Sequence, residues 1–212
     1  MKKSLHLIVA IGFLLFFHAA RAGSYEDFFK ALQLDHPATV QALLQRGFDP
    51  NTVSLDGTPA LIKALQEQSF KSASVLVDDP RLKVDVRSAR DETPLMLAAL
   101  RGQEPLVVQL VGRGAEVNKP GWTPLHYAAT GGYLRIAAFL IAVHSDVNAE
   151  SPNGTTPLMM AAMYSNSEMV KLLLESGAEA YLHNDQELTA EDFALKAGRE
   201  DSARLIRQVL ER

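Results

Sequence analysis

The sequence predicts an all-α solenoid of about six helix-turn-helix units separated by hairpin-like loops. Three observations carry this. A seven-residue phrase, Thr123-Pro124-Leu125-His126-Tyr127-Ala128-Ala129, returns as Thr93-Pro94-Leu95-Met96-Leu97-Ala98-Ala99 and as Thr156-Pro157-Leu158-Met159-Met160-Ala161-Ala162. Five positions after each unit start stands an alanine: Ala31, Ala64, Ala98, Ala128, Ala161 and Ala194. Seventeen positions after each start stand Leu43, Leu76, Leu110, Leu140, Leu173 and Ile206. Self-similarity at a period near 33 marks stacked supersecondary units. Function in such a stack is sought first on an extended surface and not in a catalytic pocket.

The starts fall at Glu26, Pro59, Thr93, Thr123, Thr156 and Thr189, with spacings of 33, 34, 30, 33 and 33. The repeats then cover 26–58, 59–92, 93–122, 123–155, 156–188 and 189–212, within one domain over 23–212. Within each repeat the chemistry reads in order. A threonine hydroxyl caps the first helix, and proline fits its first turn. Leucine and alanine follow at helical spacing, and alanine lets neighbouring helices approach closely. Gly102, Gly132 and Gly198 stand nine residues after their starts, where a left-handed residue ends the helix. A second helix follows, as in Glu168-Met169-Val170-Lys171-Leu172-Leu173-Leu174, with apolar residues recurring at three and four. It ends at Gly47, Gly114 or Gly177. An extended segment such as Asp146-Val147-Asn148 then turns at Gly154 into the next start.

This unit resembles the ankyrin repeat. The Thr-Pro-Leu phrase carries the resemblance, together with Gly114-Ala115-Glu116-Val117-Asn118 at a turn and loop. The resemblance covers essentially all of the chain beyond residue 22. The first and last repeats depart as end caps do. Repeat one reads Tyr25-Glu26-Asp27-Phe28-Phe29-Lys30, without Thr-Pro, and repeat six places Arg207 where inner repeats are apolar. Terminal repeats need a polar outer side because nothing stacks on it.

Three irregularities break the pattern. Asp78-Asp79-Pro80-Arg81-Leu82 replaces a helix-ending glycine, so that helix stops before Pro80. The loop from Val117 to Gly121 is three residues shorter than its counterpart from Val147 to Gly154, so it projects less or bends. His144 occupies a glycine position, where a positive φ costs histidine more than glycine.

The chain opens on a different kind of segment. Lys2 and Lys3 precede a run from Leu5 to Phe17 that is apolar except at His6 and Gly12, and Ala20-Arg21-Ala22 follows. This is the pattern of a secretory signal peptide over residues 1–22, with cleavage expected after Ala22. The run is shorter than the roughly 20 residues a membrane span needs, so stable membrane insertion after cleavage is not expected. Export joined to this kind of array predicts a bacterial, periplasmic protein. There is no cysteine, which removes disulfides, thiolate metal sites and cysteine nucleophiles. Net charge is −4, without the basic stripe of a nucleic-acid binder.

The resemblance implies a protein partner on the concave face, built from loop fingers and exposed first-helix positions. Mapped by register, the candidates are Glu92, Trp122, Thr155, Gln66, Glu67, Leu100, Arg101, Thr130, Met163 and Tyr164, with Asn153 on a finger. Trp122 is the only tryptophan. Trp122, Tyr164 and Arg101 are residue types enriched among interface hot spots and fall on adjacent repeats. Two positions are open for Trp122: on the partner surface, or folded over the shortened loop.

His126 belongs to the repeated phrase. The resemblance implies that it ties neighbouring repeats together by hydrogen bonds. His36, His144 and His183 fall in turns of three different repeats, without metal-ligand spacing. No nucleophile elbow, His-Glu-x-x-His or phosphate loop is present. Asp78-Asp79 reads as a turn, and Glu191-Asp192 as first-turn charge favouring the helix dipole. The expectation is therefore a monomeric, non-enzymatic protein-binding module without cofactor. Two settings are open: an immunity protein occluding a secreted phospholipase-type toxin, or a support factor for a periplasmic stress-protective enzyme.

Overall fold

The computed structural model describes residues 23–211. The leader expected over residues 1–22, with its cleavage point, lies outside the described residues. Twelve helices are present among the described residues, paired as the sequence predicts. They are α1 (23–33), α2 (Pro37–Gln45), α3 (Ala60–Gln66), α4 (Phe70–Asp78), α5 (Pro94–Leu100), α6 (Glu104–Gly112), α7 (Pro124–Gly131), α8 (Leu134–Ala142), α9 (Pro157–Tyr164), α10 (Ser167–Glu175), α11 (Ala190–Lys196) and α12 (Glu200–Leu210). Between pairs the loops approach hairpins, and isolated antiparallel bridges join Val53 to Pro59 and His183 to Thr189. The chain divides after Leu82 into two compact bodies.

In the first body α4 packs on α2 and on α3. Phe28, Leu32, Leu43 and Leu76 are buried, and the Phe28 and Phe48 rings lie 4.4 Å apart. The end of α1 holds the start of α4: the Asp35 carboxylate accepts the Ser72 N–H at 2.8 Å. Helix α4 stops at Asp78, as Pro80 predicts. Arg81 then folds back, pairing with Asp79 and donating to the Leu44 carbonyl at 3.1 Å.

The second body forms two layers. Helices α5, α7, α9 and α11 stack in sequence, and α6, α8, α10 and α12 stack behind them. The phased residues fill the interior. Ala98, Ala128, Ala161 and Ala194 have no exposed surface, nor do Leu110, Leu140, Leu173 and Ile206. Alanine is needed in the first layer because a larger side chain would hold the helices apart.

Helices α5, α9 and α11 each open on a reciprocal cap. The Thr93, Thr156 and Thr189 hydroxyls accept N–H groups of Met96, Met159 and Asp192, and those side chains accept the threonine N–H in return. Chain reversals are equally regular. Every positive-φ residue falls into one of three phases: after the first helix (Asp35, Gln68, Gly102, Gly132, Gly198), after the second (Gly47, Gly114, His144, Gly177), or at the finger tip (Gly57, Asp91, Gly121, Gly154, Glu187). His144, at φ 67°, is the only side chain in the second series.

Candidate functional site

The second body brings most of the candidate residues onto its first-helix layer and fingers. Four of the chain's fingers share one closure. The N–H of Ser54, Ser88, Ser151 or Asn184 donates to the carbonyl four residues on, at 2.8 to 3.0 Å. That carbonyl belongs to the residue just before the repeat start.

The shortened finger lacks this donor, and Lys119 replaces it. Its side chain is 2% exposed. The ammonium donates to the Pro120 carbonyl at 3.0 Å and to the Trp122 carbonyl at 3.4 Å, and pairs with Asp91 of the preceding finger at 2.6 Å. The Lys119 hydrogen bond, with Arg87 behind it, holds the Asp91 carboxyl below the usual carboxylate range. A buried ammonium is tolerable when all its protons find oxygen.

With its carbonyl held, Trp122 places its ring edge-on to His126 (5.2 Å between centroids) and to Tyr127 (6.5 Å). It stays half-exposed at the finger base, packed against α7. Behind it His126 is fully buried. The Thr123 N–H donates to Nδ1 at 3.2 Å, so Nδ1 is unprotonated and Nε2 carries the hydrogen. Nε2 then donates to the Thr155 carbonyl in the next finger at 2.9 Å. Burial lowers the His126 pKa to about 4, against opposing hydrogen bonds to backbone. Both nitrogens are engaged in architecture, which leaves neither for a substrate.

A second stitch runs below the fingers. The side-chain oxygens of Asp85, Asn118 and Asn148 accept the N–H groups of Glu116, Asp146 and Glu179 in the following repeat, at 2.8 to 3.0 Å.

The candidates separate on this frame. Tyr164 is 54% exposed, and Arg101 and Asn153 are exposed. Met163 is half-buried, and its carbonyl accepts the Arg199 Nε–H. Thr130 is half-buried with its hydroxyl returned to the His126 carbonyl at 2.8 Å. Two expected surface residues lie inside. Thr155 is 3% exposed because its carbonyl closes a finger and receives His126. Glu92 is 9% exposed; its carboxylate accepts the Ser88 hydroxyl and faces Arg90 at 3.4 Å. Gln66 and Glu67 are exposed at the end of α3 in the first body, where Glu67 pairs with Lys63.

Sequence reasoning missed one feature of this surface. The position four residues after each start carries Leu97, Tyr127, Met160 and Phe193 in the second body. Leu97 is buried, but Tyr127, Met160 and Phe193 are half-exposed on three helices that stack on one another. Burial, then the nearby Glu92 carboxylate, raises the Tyr127 pKa. An apolar column thus runs between the fingers and the exposed helix end bearing Tyr164. The internal comparison that found the alanines would have found it one position earlier in each phrase.

Comparison with known proteins gives one family. The sequence matches the profile described as ankyrin repeats (3 copies) at residues 28–120, 81–151 and 125–209. It is 28% identical over 189 residues to a putative ankyrin repeat-containing protein of Treponema pallidum (strain Nichols), covering 81% of this chain and 58% of that protein. It is 34% identical over 130 residues to ankyrin repeat and SAM domain-containing protein 6 of Rattus norvegicus, covering 58% of this chain and 15% of the relative. Rabankyrin-5 of Homo sapiens matches at 28% over 147 residues, 66% of this chain and 13% of its own length.

Proposed function

The chain belongs to the ankyrin repeat family, and on that premise we propose that it is an exported, non-catalytic module that holds a partner protein on its fingers and first-helix layer. The observation that carries this reading is the half-exposed column Tyr127, Met160 and Phe193, flanked by Trp122 and Tyr164. Large apolar and aromatic groups in partial exposure along stacked helices form the kind of patch that marks an interaction surface. The fully buried His126 is engaged at both nitrogens, by the Thr123 N–H and the Thr155 carbonyl, instead of facing a cleft. Export is supported by the basic start, the apolar run and Ala20-Arg21-Ala22, with the first repeat beginning directly behind. The site of action on this reading is the periplasm.

Capture from periplasmic extract tests the binding role, with residues 23–212 as bait and Trp122→Ala and Met160→Asp as comparators. The parent bait is expected to recover a stoichiometric protein that both variants lose at unchanged helicity by circular dichroism. Recovery of none, or equal recovery by all three baits, defeats the reading. Residues 1–22 fused to a phosphatase active only outside the cytoplasm test export; an inactive fusion defeats that part. A toxin-lipase gene beside this one would favour the immunity setting, and a catalase or peroxidase gene would favour enzyme support.

A further inference from the structure

The charge around the apolar column names the chemistry of its occupant. Between residues 136 and 195 the sequence carries nine carboxylates and a single Lys or Arg, Lys171. Lys171 lies on α10, in the rear layer, and pairs there with Glu175. The fingers of repeats four and five therefore carry carboxylates without a Lys or Arg, and the cations of this layer, Lys196 at the end of α11 and Arg199 on the Met163 carbonyl, lie at the other end of the first helices. Glu150, Asp185 and Glu187 are exposed there, Glu187 with a side chain 84% accessible and only His183 beside it.

These fingers also form one edge. A Cβ at Gly121 would stand 3.5 Å from the Pro152 ring. The Asp185 N–H donates to the Asn153 carbonyl at 3.1 Å. The tip that carries Asp185 and Glu187 is thus tied by its backbone to the finger before it. The opposite end of the body differs: Arg90 and Arg101 are exposed near repeat three, and Arg90 already faces Glu92.

We propose that the column of repeats four to six docks a cationic segment of a partner protein, with lysine or arginine side chains over Glu150, Asp185 and Glu187 and apolar side chains on Met160 and Phe193. The proposal rests on the docking reading above and adds the sign of the partner's charge. Complementary charge steers encounter and rejects wrong partners, while the apolar column supplies the contact that persists in salt.

Fluorescence anisotropy tests it on residues 23–212 with two short labelled peptides, one alternating Lys and Leu, the other Glu and Leu. The Lys-Leu peptide is expected to bind, and the Glu-Leu peptide not to. D185N/E187Q should weaken the Lys-Leu peptide by about tenfold at low salt. E168Q/E175Q changes net charge equally on α10 and should leave binding unchanged. Equal weakening by both double variants, equal binding of both peptides, or no binding of either overturns the proposal. Binding of the Glu-Leu peptide that Met160→Asp abolishes would overturn the cationic partner yet keep the docking surface. Capture of a partner without any peptide binding would do the same.

Discussion

Replacing His126 by methionine should reverse sign with pH. Methionine is the residue the chain itself places at this position in repeats three and five, as Met96 and Met159, so the cavity accepts it. At neutral pH the methionine sulfur takes over the Thr123 N–H, as Met96 and Met159 do for Thr93 and Thr156, and the variant loses the bond from Nε2 to the Thr155 carbonyl. That carbonyl keeps the Ser151 N–H at 2.9 Å, so nothing is orphaned and the loss is about 1 kcal/mol. Acid acts in the other direction. The folded His126 pKa is about 4 against 6.5 for the free side chain. Between those values the unfolded chain binds the proton and the folded chain does not. Stability is thus complete above the unfolded value and falls as pH drops toward the folded one. The full span is about 3 kcal/mol, of which about 2 kcal/mol is lost by pH 5. The parent should therefore be more stable at pH 7.5, and the methionine variant more stable at pH 5 by about 1 kcal/mol. Urea denaturation followed by circular dichroism at both values measures this, and the difference between proteins cancels the other titrating groups. Parallel pH dependence in parent and variant would refute the reasoning.

Other predictions follow from single side chains. Lys119→Met should lower stability by about 1–3 kcal/mol, because the shortened finger loses its only closing donor and Trp122 loses its carbonyl partner; an unchanged urea midpoint and tryptophan emission would contradict this. His144→Gly relieves a side chain at φ 67° and should raise stability by up to about 1 kcal/mol, read as melting temperature; a decrease would defeat it. Gly131 sits in α7 with ordinary helical backbone, where alanine normally gains about 1 kcal/mol. Here the new Cβ would meet the Tyr133 ring at 2.4 Å, so Gly131→Ala should bring no gain; a higher melting temperature would show that the ring moves aside freely.

The frame was legible because it rests on comparison of copies. Six alanines and six aliphatic residues in phase require no knowledge of contacts, and the structure buries all of them. The stop before Pro80 and the positive φ of His144 were legible because each follows from one residue's own geometry. The surface was less so. Glu92 and Thr155 occupy the same register position as Trp122, yet local hydrogen bonds draw them inward. Register says where a residue stands but not which neighbour its side chain prefers. Lys119 was invisible for a related reason. Its partners are a tip carboxylate on another finger and carbonyls exposed only by a deletion, and no single-residue propensity encodes either.

The paired stitches of the second body have a consequence for how this molecule can change. His126 reaches forward to the carbonyl that closes the finger after its helix pair, and Asp85, Asn118 and Asn148 each reach into the following repeat. The finger tips lie between those anchor points, and one of them has lost three residues with both anchors intact. An insertion or deletion inside a helix would shift every later anchor out of phase. The same change at a tip needs only one new donor, as Lys119 shows. Length is therefore a free variable at the rim and a fixed one along the spine. The protein can acquire new contours, by evolution or by loop grafting, without renegotiating its fold.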